Sequence, residues 1–317
     1  MPKIVTLTLN PAIDGSCEAD RVFPTHKVRT RGEKYDPGGG GINVARVASR
    51  LGGDAHACYL AGGVTGTVLD SLLDAHGLSR TRMDIADHTR VSLAVHELET
   101  GLEYRFVPEG PSVAEAEWRS CLDAIARIDG HYLVASGSLP RGVPDDFYCR
   151  LAEVAAGRGA KFVLDTSGEA LARTLACGGV FLVKPSIGEF ERYVGQALPD
   201  MEAIAVAALS IVREGKADHV AVTMGHRGAL LADRSGAYSL PAVPVEAKSA
   251  VGAGDSFVAA MTLGFARGWS AMEAFRFGLA AGTAAVLSPG TDLCRGEDVE
   301  EMFARVARPV RVAPAVE

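Results

Sequence analysis

A chain of 317 residues allows one large α/β domain or two smaller ones, with ample core in either case. Its 48% hydrophobic and 22% charged residues are those of a soluble globular protein, and a net charge of −7 argues against nucleic acid as the main partner. An acidic protein that binds anionic metabolites must instead gather its Lys and Arg locally.

No apolar run is long and unbroken enough to span a bilayer, which argues against a membrane protein, and the apolar start at residues 4–9 is too short for a signal sequence. The six cysteines are scattered, with no C-x-x-C pair. That pattern suits free thiols in a reducing compartment, with neither a zinc site nor a disulfide framework, so a cytoplasmic protein is expected.

In chain order, residues 3–9 read as a buried first strand ending at Asn10-Pro11. Residues 21–35 alternate Val, Phe and Thr with charge, and read as exposed strands of a small flap. Pro37 and four glycines lead into a helix at 42–48 that stops at Gly52-Gly53. A strand at 55–61 and a helix at 66–76 follow. Residues 89–97 and 103–107 alternate around Glu99-Thr100-Gly101, as in a hairpin. The chain then becomes regular: helices at 114–127, 145–158, 169–176 and 201–214 precede strands at 131–135, 161–164, 180–183 and 219–223. Such alternation implies parallel pairing with right-handed crossovers. A hairpin at 228–232 and 237–240, helices at 255–267, 271–287 and 297–306, and a loose tail at 308–317 complete the reading.

The expected architecture is a three-layer α/β/α sandwich with a mainly parallel sheet over 1–307, plus a small β lid from about 15–36 and 88–107. A small isolated sheet leaves one apolar face bare. Val22, Phe23 and Val28 on one lid segment, with Val91, Leu93 and Val95 on the other, could cover a second copy, which predicts a homodimer through the lids.

The chemistry concentrates at Ala250-Val251-Gly252-Ala253-Gly254-Asp255-Ser256-Phe257, ahead of an apolar helix. Gly252, Ala253 and Gly254 permit a tight turn, and their N–H groups are orphan donors at the positive end of a helix. Together they form an anion hole suited to a phosphoryl group. A carboxylate repels phosphate, so Asp255 gains nothing by holding one, but it can take the proton of a hydroxyl that attacks it. The simpler reading of Asp255 is a helix cap. A dinucleotide fold is disfavoured, because its third small residue would fall at Phe257.

Two motifs in this order resemble those of ribokinase-like sugar kinases of the phosphofructokinase B type: Gly38-Gly39-Gly40-Gly41-Ile42-Asn43 and Val251-Gly252-Ala253-Gly254-Asp255-Ser256. Thr6-Leu7-Thr8-Leu9-Asn10-Pro11, Ser136-Gly137-Ser138-Leu139-Pro140 and Leu182-Val183-Lys184-Pro185 also match, and the resemblance runs from about residue 3 to 307. Ala250-Val251, in place of the Asp-Thr of ribokinases, resembles the branch acting on phosphorylated ketohexoses, and the likeness is strongest to its minor bacterial 6-phosphofructokinases.

The resemblance implies Asp255 as base, with Gly252, Ala253 and Gly254 as the phosphate-binding turn. It implies Asp14, Gly38, Gly39, Asn43, Arg29, Arg90 and Ser138 around a sugar phosphate. It implies Lys27, Lys184, Ser186, Thr223, Gly225 and Gly228 around ATP, with Lys27 reaching across the dimer, and Glu189 at Mg²⁺ through water. Ser186 stands where many members carry Asn. A K⁺ site near Ser249, Val251, Ala285 and Gly290 is implied as well, with Asp292 in place of the usual Arg. Relatives acting on fructose 1-phosphate or tagatose 6-phosphate place Lys where this chain has Gly40. Gly40 is therefore expected to remove a charge and leave space, favouring fructose 6-phosphate as acceptor. Tagatose-6-phosphate kinase and 1-phosphofructokinase are the alternatives within the family, and a non-catalytic sugar-phosphate sensor is the alternative from another class.

Overall fold

The computed structural model describes residues 2–288, 290 and 292–314. Strand β1 (Ile4–Thr8) is followed by β2 (Ala12–Ala19), β3 (Thr30–Gly38), helix α1 (Gly40–Arg50), β4 (Ala55–Gly62), α2 (Gly63–Asp74), β5 (Arg80–Ile85), β6 (Arg90–Glu97) and β7 (Glu103–Phe106). Helices and strands then alternate as α3 (Glu115–Ile125), β8 (Tyr132–Ser136), α4 (Phe147–Gly157), β9 (Lys161–Asp165), α5 (Gly168–Cys177), β10 (Val180–Val183), α6 (Ile187–Val194), α7 (Met201–Arg213) and β11 (Ala217–Thr223). The chain continues through β12 (Ala229–Asp233), β13 (Gly236–Leu240), α8 (Ala253–Ala266), α9 (Ala271–Val286), α10 (Gly296–Arg305) and β14 (Val310–Ala313).

The large sheet has the order β14-β13-β12-β11-β10-β9-β8-β1-β4-β5. From β5 to β11 every pair is parallel, and β12, β13 and β14 add on antiparallel. Side chains alternate between the two faces, so each buried strand feeds two cores. Ile4, Tyr59 and Val134 point to the layer of α1, α2, α8, α9 and α10. Val5, Leu60 and Leu133 point to the layer of α3, α4, α5, α6 and α7. The chain leaves β1 for β4 and β5 on one side and returns to β8 on the other. Connections therefore diverge at the carboxyl ends of β1 and β8, which opens a crevice there.

A second sheet, in the order β3-β2-β6-β7, stands over that crevice. Its two central strands pair in parallel, Asp14 opposite Ser92. One face carries Asp14, Ser16, Arg90 and Ser92 towards the crevice, and the other carries Gly15, Tyr35, Val91, Leu93 and Phe106. Val22 and Val28 fold back on Cys17, Ala19 and Val95, so part of this outer face is covered by the chain itself. Phe23, Tyr35, Val91, Leu93 and Phe106 stay exposed.

Three expectations are corrected. The segment 308–317 is not simply a loose tail: β14 pairs with β13, while residues 315–317 lie outside the described residues. The cysteines are not all free thiols: Cys149 at the start of α4 and Cys177 at the end of α5 form a disulfide, and Cys17, Cys58, Cys121 and Cys294 are unpaired and buried. Gly40 does not leave space, because a Cβ there would overlap the Ser136 hydroxyl at the end of β8.

Candidate active site

The crevice holds a cavity of about 400 Å³ between the carboxyl ends of β1, β8 and β9, the starts of α1 and α8, and the inner face of the lid. Polar side chains gather there because strands end where backbone pairing stops, and helix starts bring unpaired N–H groups to the same place.

The N-cap of α8 is Gly252, at φ 72°, a conformation that favours glycine. A Cβ there would also overlap Leu293. Of the expected phosphate-binding turn, Gly252 lines the cavity but Ala253 and Gly254 do not, Ala253 N donating to Ala250 O at 3.5 Å, and the helix that follows is buried along most of its length. The Lys184 ammonium sits against the same turn, about where a Cβ on Gly254 would touch it, at 3.3 Å. Lys184 is buried and pairs with Asp165 Oδ1 at 3.1 Å. Burial opposes its charge, but Asp165, with Glu189 and Asp255 behind it, outweighs burial and holds the lysine protonated. A positive helix end and a fixed ammonium thus converge on one point.

Asp255 lies in the first turn of α8 and lines the cavity. Its Oδ2 accepts from Asn43 Nδ2 at 2.9 Å. Burial pushes its carboxyl up to about 7, the Asp165 and Asp14 charges add to the rise, and Asn43 and Lys184 pull against it. A carboxyl with its midpoint near neutrality is suited to accept a proton.

On the lid, Asp14 is raised by burial and opposed by Arg90 and Arg105. A Cβ on Gly38 would overlap its carboxylate, so glycine is needed for this close approach. Arg90 donates to Pro108 O and Asn10 O, each at 2.9 Å, which fixes its guanidinium at the cavity wall. Asn10 in turn donates to Glu109 O at 2.9 Å and Ser138 Oγ at 3.2 Å.

Asp14, Gly39, Asn43, Arg90, Ser138, Glu189, Val251, Gly252 and Asp255 therefore share one cavity. Lys27 and Arg29 do not join them: both are exposed between β2 and β3. Thr223, Gly225 and Gly228 lie beyond the cavity, beside α6, where Thr223 N donates to Pro185 O at 3.0 Å. Ser186 caps α6, giving its N–H and hydroxyl to Glu189 Oε2 at 2.8 and 2.7 Å. Ser249 Oγ donates to Gly290 O at 2.9 Å and accepts from Val251 N at 3.2 Å, while Ala285 lies in the last turn of α9. Sequence reasoning missed Arg105 and Asp165. Strand alternation could have found Arg105, which sits opposite Ala94 on the inner face.

The pattern of the pfkB family carbohydrate kinase matches residues 8–297. The chain belongs to this family. It is 44% identical, over 98% of its length and 92% of the relative's, to the ATP-dependent 6-phosphofructokinase isozyme 2 of Mycobacterium tuberculosis. It is 41% identical to the enzyme of that name from Escherichia coli, covering 97% of this chain and all of that one. The crystal structure of Escherichia coli phosphofructokinase-2 in complex with fructose-6-phosphate superposes with a TM-score of 0.91, at 40% identity, covering 97% of this chain and all of that one.

Proposed function

We propose that the protein transfers the γ-phosphoryl group of ATP to the 1-hydroxyl of fructose 6-phosphate, yielding fructose 1,6-bisphosphate and ADP. The observation that carries this reading is Asp255, a carboxyl near neutrality held by Asn43 beside the α8 turn and Lys184. Asp255 takes the hydroxyl proton as the oxygen forms its bond to phosphorus and the bond to ADP breaks. The N–H groups of the turn and the Lys184 ammonium receive the negative charge of the transferring group. Arg90 and Arg105 supply cations for the sugar's own phosphate, and Asp14 accepts from its hydroxyls.

Glu189 lines the same cavity, and its carboxylate fits a Mg²⁺ held mainly through water. Bound there, Mg²⁺ would supply positive charge to offset that of the nucleotide's phosphates. Thr223, Gly225 and Gly228 extend the nucleotide site past α6. Carbonyls near Ser249, Val251, Ala285 and Gly290 would hold K⁺.

Lys27 and Arg29 reach a sugar or nucleotide phosphate across a lid-to-lid homodimer, which the exposed Phe23, Val91 and Leu93 would close. The crowding of Gly40 by Ser136 removes one premise of the specificity argument. What remains is that no lysine charge stands at residue 40, so the cations for phosphate lie on the lid. The test is a side-by-side assay with ATP and Mg²⁺. Fructose 6-phosphate should show the highest kcat/KM, and a higher value for fructose 1-phosphate or tagatose 6-phosphate would overturn the assignment.

A further inference from the structure

Arg46 is the one residue of α1 whose charge is buried in the protein core, at 3% exposure. It lies one helical turn after Asn43, on the same face. Its Nη1 donates to Pro37 O at 2.9 Å and to Asn43 Oδ1 at 3.3 Å. Its Nη2 is 3.5 Å from Asp36 Oδ1 and donates to His76 Nε2 at 3.2 Å. Asp36 and Pro37 belong to β3 and pair with Asp14 and Ile13 of β2.

We infer that Arg46 is a positioning residue, which ties the lid strand behind Asp14 to Asn43 and thereby fixes the amide that holds Asp255. The inference rests on the reading of Asp255 as the base. An Asn amide has two faces of opposite polarity. With Oδ1 receiving the Arg46 guanidinium, Nδ2 must face the Asp255 carboxylate, where it donates. A flipped amide would set oxygen against oxygen and withdraw the side-chain donor that Oδ2 has among the described residues. Arg46 thus selects the rotamer, and its second acceptor, Pro37 O, makes that selection depend on the seating of β3. Nη1 serves both acceptors while Nη2 is held by Asp36 and His76, and that two-nitrogen spread, which fixes the plane of the fork, is beyond the single nitrogen of a lysine.

A buried arginine could instead serve only to anchor the lid. The experiment that separates these roles uses Arg46→Met, Arg46→Lys and Asn43→Ala in the full chain, assayed with fructose 6-phosphate and ATP across pH. Asp165, Lys184 and Asp14 also face Asp255, and Asp36, Asp14, Arg50, Asp292 and His76 surround Arg46. Each variant is therefore read as a shift from the wild-type profile.

Arg46→Met should lower kcat roughly tenfold to a hundredfold. It should also move the acid limb of kcat/KM to higher pH, because the carboxylate loses its oriented donor. Arg46→Lys should fold and move the limb the same way by a smaller amount. Combined with Asn43→Ala, Arg46→Met should cost less than about twofold more, since the group it orients is gone. An acid limb unmoved in Arg46→Lys, or fully additive losses in the double variant, would overturn the inference. Asp255→Asn, assayed in parallel, tests the base separately: if it remains active, the base reading fails, whereas an inactive Asp255→Asn with an unmoved Arg46→Lys profile refutes only the role of Arg46.

Discussion

Asp255 is kept in a place where its charge is costly. Its carboxyl ionises at about 7 in the folded protein, against an ordinary 3.8, chiefly because it is buried. A folded-state value raised in this way means the native protein holds its proton more tightly than the unfolded chain. Stability is therefore lost as pH rises from about 4 to about 7 and stays lost above that. Activity runs the other way, since a base must be ionised, so kcat/KM should rise as pH climbs through about 7. Asp255→Asn should abolish this limb and lower kcat by about 10²–10⁴-fold. The same substitution should raise the melting temperature at pH 8, where it removes a buried charge, and raise it less at pH 6. Calorimetry at the two pH values, beside the rate measurements, checks both halves. A variant within a few-fold of wild-type activity would reduce Asp255 to a helix cap.

At the scale of elements, the start of α8 is a turn that tolerates little change. Gly252→Ala meets both a left-handed backbone and Leu293, so it should cost about 1–3 kcal/mol in urea unfolding and lower kcat by displacing the N–H groups. The bridge from Cys149 to Cys177 spans a separation of 28 residues and joins α4 to α5. Loop entropy of that length is worth about 3–4 kcal/mol, so Cys149→Ser should lower the melting temperature under non-reducing conditions and make it insensitive to reductant. The two motifs around Gly38 and Gly252 made the site legible, since glycine runs beside Asn43 and Asp255 carry their geometry locally. Other elements were not legible. Arg80, Arg82 and Asp84 break the apolar pattern of β5, an edge strand, so no strand is assigned there from the sequence. Helix α6 has eight residues, too few for periodicity, and its capping box of Ser186 and Glu189 sits where a metal motif is expected. The pair of Asp165 and Lys184 joins the ends of adjacent strands, a contact fixed by sheet order that no local pattern reveals.

For the molecule as a whole, the lid is the part that leaves large apolar side chains, Phe23, Tyr35, Val91, Leu93 and Phe106, exposed. Its alternation was readable, and so was an unpartnered apolar face. The folding of Val22 and Val28 onto Val95 was not, because it depends on the path of a long irregular loop between β2 and β3. Val91→Glu or Phe23→Glu should lower the mass in sedimentation and, by separating Lys27 and Arg29 from the neighbouring site, lower kcat/KM for the sugar phosphate. A wild-type protein that sediments as a monomer at assay concentration while fully active would contradict both.

The parallel pairing of β2 with β6 has a consequence for how this chain can change length. Eight consecutive pairs, from Ala12 opposite Arg90 to Ala19 opposite Glu97, keep Asp14, Ser16, Arg90 and Ser92 on one face and Cys17, Val91, Leu93 and Val95 on the other. Losing one residue within either strand inverts that assignment beyond the cut. In β6 it would carry Arg90 outward and bring Val91 over Asp14. Single-residue deletions there should therefore be inactive even when the protein folds. The loop around Thr25, exposed and already in a left-handed turn, lies outside this register and can lengthen without reversing it. Loop tips and strand interiors of one small sheet thus obey opposite rules, and a library of insertions and deletions scored for turnover would display the boundary residue by residue.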